Sequence, residues 1–250
     1  MDIITPDDVL GMAWALSLSG LTASLTRFPP CPIVQLTGAV PQPDGSDLLD
    51  LVRGVARVGG GRAHFFYAPM IVADAETASV IRRQPDVADA FALVPSVTIA
   101  MLSIGAWAPG LSTIYDSLTP ADRDAMAELG VHTDMGGAFF DRNGNPLATP
   151  FDTRMIITPG PVLASIPTVL AVAYGAAKSS SVLAVVRGKI VDGLVTHTSL
   201  ARALLEQARG AGEFSGPGDP GGSGGPSDPG GSGPGAAGRG GHLAARHVPG

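Results

Sequence analysis

Cysteine and lysine are scarce in this sequence of 250 residues. Cys31 is the single cysteine and lies between two prolines, which excludes an internal disulfide and any cluster of thiolate metal ligands. The only lysines are Lys178 and Lys189, and the formal net charge is -6. Without a diffuse basic field, the chain lacks the charge that holds a nucleic-acid backbone. We therefore expect a reducing, cytoplasmic setting and no direct DNA binding by this chain.

Features of export, of a membrane span and of common catalytic sites are also missing from the sequence. Acidic residues occupy the amino terminus, where a secretory signal carries basic ones, and the apolar run 9–18 is too short to span a bilayer. We find no GxSxG elbow, no Walker loop, no GxGxxG after a strand and no metal-ligand spacing. We expect a protein that is not an enzyme, with no membrane, cofactor or metal.

The composition divides the chain into two regions. Residues 211–250 consist mainly of Gly, Pro and Ser, which cannot bury enough apolar surface to offset the chain entropy lost on folding. We predict a disordered tail over 211–250 and one domain over 1–210.

Apolar runs of strand length alternate with stretches of helical periodicity in the first region, a pattern typical of α/β units on a mostly parallel sheet. Strands are predicted at 8–13, 33–37, 64–67, 97–104, 155–158, 168–173 and 193–196. Helices are predicted at 18–26, 46–57, 76–83, 120–129, 180–187 and 199–209. Helix starts are better marked than helix ends; Thr119 and Pro120, for example, fit a capping residue and a first helical position.

One segment, 136–148, interrupts this alternation. Two short apolar arms flank Asn143 and Gly144, and both of these residues tolerate a positive φ. The segment therefore predicts a β-hairpin, inserted near the strand ends where ligands bind in α/β folds.

Several residues could bind an anionic ligand. Ser17 lies at a predicted helix start, where unpaired N–H groups and the helix dipole favour a phosphate, although small residues there also allow close packing. Asp134 can accept bonds from sugar hydroxyls, and Arg154 offers a planar fork for a phosphate, but an ion pair between Arg154 and Asp134 or Asp152 is an equal alternative. Lys178 follows a glycine turn, where a cation can reach an anion at the sheet edge.

Two other motifs are more ambiguous. Thr37 and Gly38 end a strand, and an ordinary turn explains them better than a ligand. Trp107 either stacks on a sugar ring or covers the sheet edge.

The order of these segments resembles the C-terminal domain of SorC/DeoR-type sugar-binding transcriptional regulators. The family's loop G-(V/I)-G-W-G-x-T-L is similar to GMAWALSL at 11–18, and its G-D-x-x-G-x-F-F-D-x-x-G is similar to TDMGGAFFDRNG at 133–144. Smaller blocks are LTGA at 36–39, IGA at 104–106, RMI at 154–156 and AYGAAK at 173–178. These blocks follow one another in the family's order, and the resemblance as a whole covers residues 2–209.

The resemblance implies a Rossmann-like sheet flanked by helices and akin to sugar-phosphate isomerases. It also implies that the domain binds a phosphorylated sugar effector and controls the oligomeric state of a homodimer or tetramer. Matched residue by residue, the ligand contacts fall on Trp14, Ala15, Leu16, Ser17, Thr37, Gly38, Gly105, Asp134, Arg154 and Lys178. Family members begin with a helix-turn-helix segment that binds DNA. We expect that this chain starts directly at the sensing domain, so that DNA would be bound only through such a segment in a longer protein.

The sequence departs from the family pattern at several positions. Ala13 and Ala15 replace glycines of the first loop, Ala39 replaces a second glycine, and His197 stands where the family has an aspartate. These changes put the identity of the effector in doubt. A sugar-phosphate isomerase with Asp134 as general base remains an alternative, as does a remnant that only oligomerises.

Overall fold

The structure is a computed structural model that describes residues 3–13, 18, 24–40 and 48–210. The predicted tail at 211–250 and the candidate ligand residues Trp14, Ala15, Leu16 and Ser17 lie outside the described residues. The predicted helix at 18–26 falls partly outside them.

Strands and helices alternate along the described chain. The strands are β1 Leu10–Met12, β2 Ile33–Gln35, β3 Ala63–His64, β4 Ile99–Ala106, β5 Thr133–Met135, β6 Ala138–Phe140, β7 Pro146–Leu147, β8 Thr168–Ala173 and β9 Gly193–Thr196. The α-helices are α1 Leu48–Gly59, α2 Ala75–Arg82, α3 Pro85–Leu93, α4 Thr113–Ser117, α5 Pro120–Glu128, α6 Gly160–Ser165, α7 Ser179–Arg187 and α8 Thr198–Gly210. Short 3-10 turns cover Val94–Ser96, Asp152–Arg154 and Ala176–Lys178.

Parallel strands form the main sheet in the spatial order β3, β2, β1, β4, β8, β9. After β1 the chain moves outward to β2 and β3, and it then returns to place β4 on the other side of β1. This reversal confirms the predicted mostly parallel, Rossmann-like sheet. It also creates a switch point between β1 and β4, beside which ligands bind in open α/β sheets.

Helices cover both faces of the sheet because successive strand residues point to opposite faces. Leu10 and Ile33 pack with Val52 and Val55 of α1 in one buried cluster. On the opposite face, a second cluster joins Val34, Leu36, Ala100, Leu102, Val169 and Ala171 to Val182 and Val185 of α7. The sheet is therefore buried on both sides, as a parallel sheet requires.

A small antiparallel meander grows from the end of β4. The first part of β4, 99–103, pairs with β8, whereas its last residues, 104–106, pair antiparallel with β5. Strand β5 then pairs with β6, and β6 with β7. The meander thus begins at the carboxyl end of a central strand.

The predicted hairpin is confirmed, although its turn differs from the expected one. The turn residues 141–145 connect β6 to β7, and of the Asn-Gly pair only Gly144 has a positive φ, of 82°. The turn is held by the carboxylate of Asp141 instead of by a second residue with a positive φ. Its Oδ1 accepts N–H bonds from Asn143 and Asn145, each at 2.8 Å.

Other predicted elements agree with the structure to different degrees. Strands β8 and β9 coincide with the predicted ranges, and Thr119 caps α5 through a bond from Asp122 N at 3.2 Å. The strand predicted at 155–158 is wrong. That segment instead makes isolated bridges, from Met155 to Ile71 and from Ile157 to Thr37, because its partners are loops that follow β3 and β2.

Candidate functional site

The carboxyl end of β4 brings together three of the residues predicted to contact a ligand. Gly105 in β4 and Asp134 in β5 are direct partners in the antiparallel register. A Cβ on residue 105 would lie 2.8 Å from Cγ of Asp134 and 2.9 Å from its Oδ2, closer than real side chains approach. The glycine at 105 therefore lets the carboxylate lie directly over the β4 backbone.

Asp134 is a buried carboxylate, only 7% exposed. Its Oδ1 accepts a hydrogen bond from the Ser112 hydroxyl at 2.6 Å. Burial raises the pKa of Asp134 to about 6, while the Ser112 bond and the charge of Lys178 oppose that rise. A carboxyl group held in this way can change its charge close to neutral pH.

Lys178 lies beside the same strand end. It closes the 3-10 turn Ala176–Lys178 that precedes α7, and its Nζ donates to the Ile104 carbonyl at 2.9 Å. Burial lowers the pKa of Lys178, whereas the charge of Asp134 raises it. The turn starts from Gly175, whose φ of 87° is one that residues with a side chain rarely adopt. Lys178, which is partly buried, and Asp134, which is buried, therefore lie at the end of the same strand, where the charge of each affects the pKa of the other.

Thr37 and Gly38 lie at the carboxyl end of β2, where their backbone is already engaged. Thr37 is fully buried and bridges Ile157, and Gly38 N donates to Ile156 O at 2.7 Å. A Cβ on Gly38 would lie 2.5 Å from the Pro69 carbonyl oxygen. Close backbone packing thus accounts for the glycine, in agreement with the turn interpretation.

Arg154 makes contacts that do not involve the Asp134–Lys178 pair. Its Nη2 is 4.0 Å from Oδ1 of Asp122, and its guanidinium group lies 4.3 Å from the centre of the Phe151 ring. Its Nη1 also donates to the Ala73 carbonyl at 3.4 Å. Neither of the predicted ion pairs of Arg154 forms. Asp152 instead accepts hydrogen bonds from Thr149, and Asp134 accepts one from Ser112.

Trp107 packs among apolar and aromatic side chains. Its ring meets the rings of Tyr115 and Phe139 edge-on, with centroid distances of 5.3 and 5.7 Å. The side chain is half-buried against a core cluster that includes Met126 and Met155. These contacts favour the structural interpretation of Trp107 over stacking on a sugar.

Two polar features near the strand ends, Ser112 and the stacked rings of Tyr174 and His197, were not predicted from the sequence to lie at the ligand site. Ser112 carries the bond to Asp134 but lies 22 residues away along the chain. The ring of His197 after β9 stacks on Tyr174 after β8, with centroids 4.7 Å apart and planes inclined by 12°. Register explains the stack, because Ala173 pairs with Thr196 and the next residue of each strand emerges side by side. No local pattern marks either feature.

The described ranges contain neither a candidate metal cluster nor a candidate membrane span. The described residues contain no group of three or more His, Cys, Asp or Glu side chains placed to hold a metal ion. No helix among them is both long and apolar enough to cross a bilayer.

Comparison with protein families gives a match over most of the chain. A family model, Sugar-bind, described as "Putative sugar-binding domain", matches residues 1–206. Among curated proteins, the transcriptional regulator LsrR of Klebsiella pneumoniae is 27% identical over 216 residues, which cover 83% of this chain and 64% of LsrR. The erythritol catabolism regulatory protein EryD of Brucella abortus is 24% identical, covering 81% of this chain and 65% of EryD. The chain thus spans less than two thirds of the length of these relatives.

Solved structures share the fold. A transcriptional regulator from Streptococcus pneumoniae has a TM-score of 0.74 at 24% identity, covering 83% of this chain and 80% of that one. The full-length sorbitol operon regulator SorC from Klebsiella pneumoniae has a TM-score of 0.75 at 19% identity, covering 81% of this chain and 67% of SorC. At this level of identity the likeness concerns the arrangement of strands and helices.

Proposed function

Because the chain belongs to the family of sugar-binding domains found in SorC/DeoR-type transcriptional regulators, we propose that it binds a phosphorylated sugar at the carboxyl end of β4. We propose further that binding shifts a homodimer or tetramer equilibrium and so controls DNA binding by a longer protein that carries a helix-turn-helix. The observation that supports the ligand is the juxtaposition of Asp134 and Lys178 at the end of one strand.

The two side chains suit different parts of such a ligand. A carboxylate accepts hydrogen bonds from sugar hydroxyls, and an ammonium group attracts a phosphate. The ammonium group of Lys178 has three donors, and the described residues account for one of them, at Ile104 O. Helix α7 begins at Ser179, so its N–H groups and dipole lie next to the same cation. The candidate contacts at 14–17 and Arg154 would complete the ligand shell, whereas close backbone packing already accounts for Thr37 and Gly38.

Thermal unfolding with added sugars tests the proposal. Ribose 5-phosphate, glucose 6-phosphate and fructose 6-phosphate are compared with unphosphorylated ribose, glucose and fructose. At a hundred times its Kd, a ligand that binds only the folded chain adds about 2.7 kcal/mol of stability, enough for a clear rise in Tm. We expect at least one phosphate to raise the Tm and its free sugar to do so far less. Equal shifts with the free sugar would remove the phosphate from the proposal, and no shift with any compound would count against it as a whole.

The two lysines of the chain provide a matched pair of variants. Lys178→Met should abolish the ligand-induced shift, since it removes the partly buried cation beside Asp134. Lys189→Met makes the same chemical change at an exposed residue beyond the end of α7 and should leave the shift intact. Equal losses in both variants would mean that net charge, rather than this site, attracts the ligand.

Light scattering after gel filtration tests the regulatory part of the proposal. A phosphate that raises the Tm should change the mass of the particle, because a ligand shifts an assembly equilibrium only when it binds one state better. An unchanged mass across the binding range would separate ligand binding from control of assembly.

A sugar-phosphate isomerase activity is the second candidate, and the pKa of Asp134 favours it. A carboxyl group with a pKa of about 6 can take up and release protons near neutral pH, as a general base must. Ribose 5-phosphate turnover, followed as interconversion of aldose and ketose, tests this function. Binding without turnover supports the sensor, whereas turnover that disappears in Asp134→Asn would establish the enzyme.

A further inference from the structure

Ser112 occupies a position in which its hydroxyl group has one possible orientation. Its Oγ accepts the backbone N–H of Tyr115 at 3.1 Å, as the capping residue of α4. The same Oγ donates to Oδ1 of Asp134 at 2.6 Å. A serine hydroxyl has a single hydrogen, so accepting from the helix directs that hydrogen toward the carboxylate.

The segment that carries Ser112 is anchored by contacts of its own. Arg123 of α5 donates from Nε to Tyr115 O at 2.7 Å and from Nη2 to Asp116 O at 2.9 Å, which ties down the end of α4. The Asp116 carboxylate in turn accepts Gly110 N at 3.0 Å and so closes the loop that leads into Ser112. The hydroxyl group therefore contacts Asp134 from an anchored segment. Ser112 is also buried, with only 4% of its surface exposed.

We propose that Ser112 is a positioning residue, which fixes Oδ1 of Asp134 over Gly105 and thereby presents Oδ2 of the same carboxylate to the sugar hydroxyls. The proposal rests on the function proposed above. Ser112 acts on the ligand through Asp134, since its own hydrogen is committed to Oδ1. Lys178 is the charged group that acts on the same carboxylate, and its charge, like the Ser112 bond, lowers the pKa of Asp134.

The variants that test this role are Ser112→Ala and Ser112→Gly. Both remove the hydroxyl, but glycine is a nearly equivalent helix cap, so it guards against a result caused by loss of α4. Thr119→Ala is the matched control. It removes the capping bond to Asp122 N at the start of the neighbouring helix α5 without touching Asp134.

The first readout needs no ligand. In protein labelled with ¹³C-aspartate, the carboxyl signal that disappears in Asp134→Asn reports the titration of Asp134. Because the Ser112 bond lowers the pKa of Asp134, its removal should raise the titration midpoint by roughly one pH unit. Thr119→Ala should leave the midpoint unchanged. An unchanged midpoint in both Ser112 variants would overturn the proposal.

The second readout is the affinity for ribose 5-phosphate, glucose 6-phosphate or fructose 6-phosphate, measured by calorimetry. We expect roughly a tenfold loss of affinity in both Ser112 variants and none in Thr119→Ala. A shifted midpoint with full affinity would overturn the role of Ser112 in presenting Asp134. If none of the three phosphates binds the parent chain, the proposed function fails, while the titration still decides separately whether Ser112 orients the carboxylate.

Discussion

The carboxylate of Asp134 lies on the backbone of Gly105, close enough that a methyl group at residue 105 would have no room. Antiparallel pairing makes the two residues direct neighbours across β4 and β5. The buried carboxyl group of Asp134 thus lies where β4 stops pairing with β8 and begins to pair with β5. A glycine at this strand position is therefore a requirement of the site.

Replacement of Gly105 by alanine should disturb both stability and the site. The new Cβ would press on a buried carboxylate, so we expect a loss of about 1 to 3 kcal/mol in the free energy of unfolding, measured with denaturant. Gly210→Ala is the control, since a Cβ there meets nothing within 4 Å. In the double variant Gly105→Ala with Asp134→Ala, part of the loss should be recovered. Strict additivity of the two changes would show that the clash is elsewhere.

The stability of the domain should depend on pH through Asp134. Its pKa is about 6 when folded, against 3.8 for the free residue, so the folded chain holds this proton more tightly. The resulting stabilisation is complete below about pH 4 and is lost as pH rises through 6, with a total on the order of 3 kcal/mol. Asp134→Asn cannot titrate. The parent should therefore lose stability relative to this variant between pH 4 and pH 7.

Comparison with the variant separates Asp134 from the other carboxylates. Hydrogen bonds lower the pKa of Asp8, Asp74 and Asp141, which gives the opposite pH dependence, but these residues are common to both proteins. They cancel in the difference between the two unfolding free energies. A difference that stays constant from pH 4 to pH 7 would contradict the burial argument.

Elements with local signals were predictable from the sequence. Strands β8 and β9 match their predicted ranges, since each is a short apolar run bounded by small or polar residues. Helix α3 was missed, although Pro85 stands at its first turn, because most residues of this short helix are apolar and so no helical period stands out. The segment 155–158 has the composition of a strand, but its bridging partners, Ile71 and Thr37, lie in loops far away in the chain.

The candidate site shows the same limit. The family pattern and the glycine turn pointed to Asp134 and Lys178, and these two do lie together at the end of β4. The partner that holds Asp134 in place, Ser112, has no sequence signal of its own. Its role arises from a contact across 22 residues. Likewise, Arg154 pairs with Asp122 in α5, and the sequence, which offered Asp134 and Asp152 as its partners, did not predict this pair.

The turn of the hairpin should be more sensitive to substitution than other glycine turns. Gly144 has a φ of 82°, and a Cβ on it would also lie 2.7 Å from Gly188 N at the end of α7. Gly130 has a similar φ of 85° but meets nothing within 4 Å, so Gly130→Ala measures backbone strain alone, about 1 kcal/mol. We expect Gly144→Ala to lower the free energy of unfolding clearly more than this. Equal losses would mean that the turn is not packed on α7.

Lys178 and Arg154 are the two cations proposed to contact the ligand. Lys178 lies beside Asp134, whereas Arg154 is 4.0 Å from Asp122 and lies over Phe151. Arg154→Met should therefore weaken sugar-phosphate binding less than Lys178→Met, as measured by calorimetry. The Arg154–Asp122 pair is about one-third exposed on each side chain, so its loss should cost at most about 1 kcal/mol of stability. Asp122→Asn frees the arginine without removing it. Stronger binding in Asp122→Asn would mean that the ion pair with Asp122 holds the guanidinium group away from the ligand. Complete loss of binding in Arg154→Met would mean that the ligand extends from β4 to the 3-10 turn Asp152–Arg154.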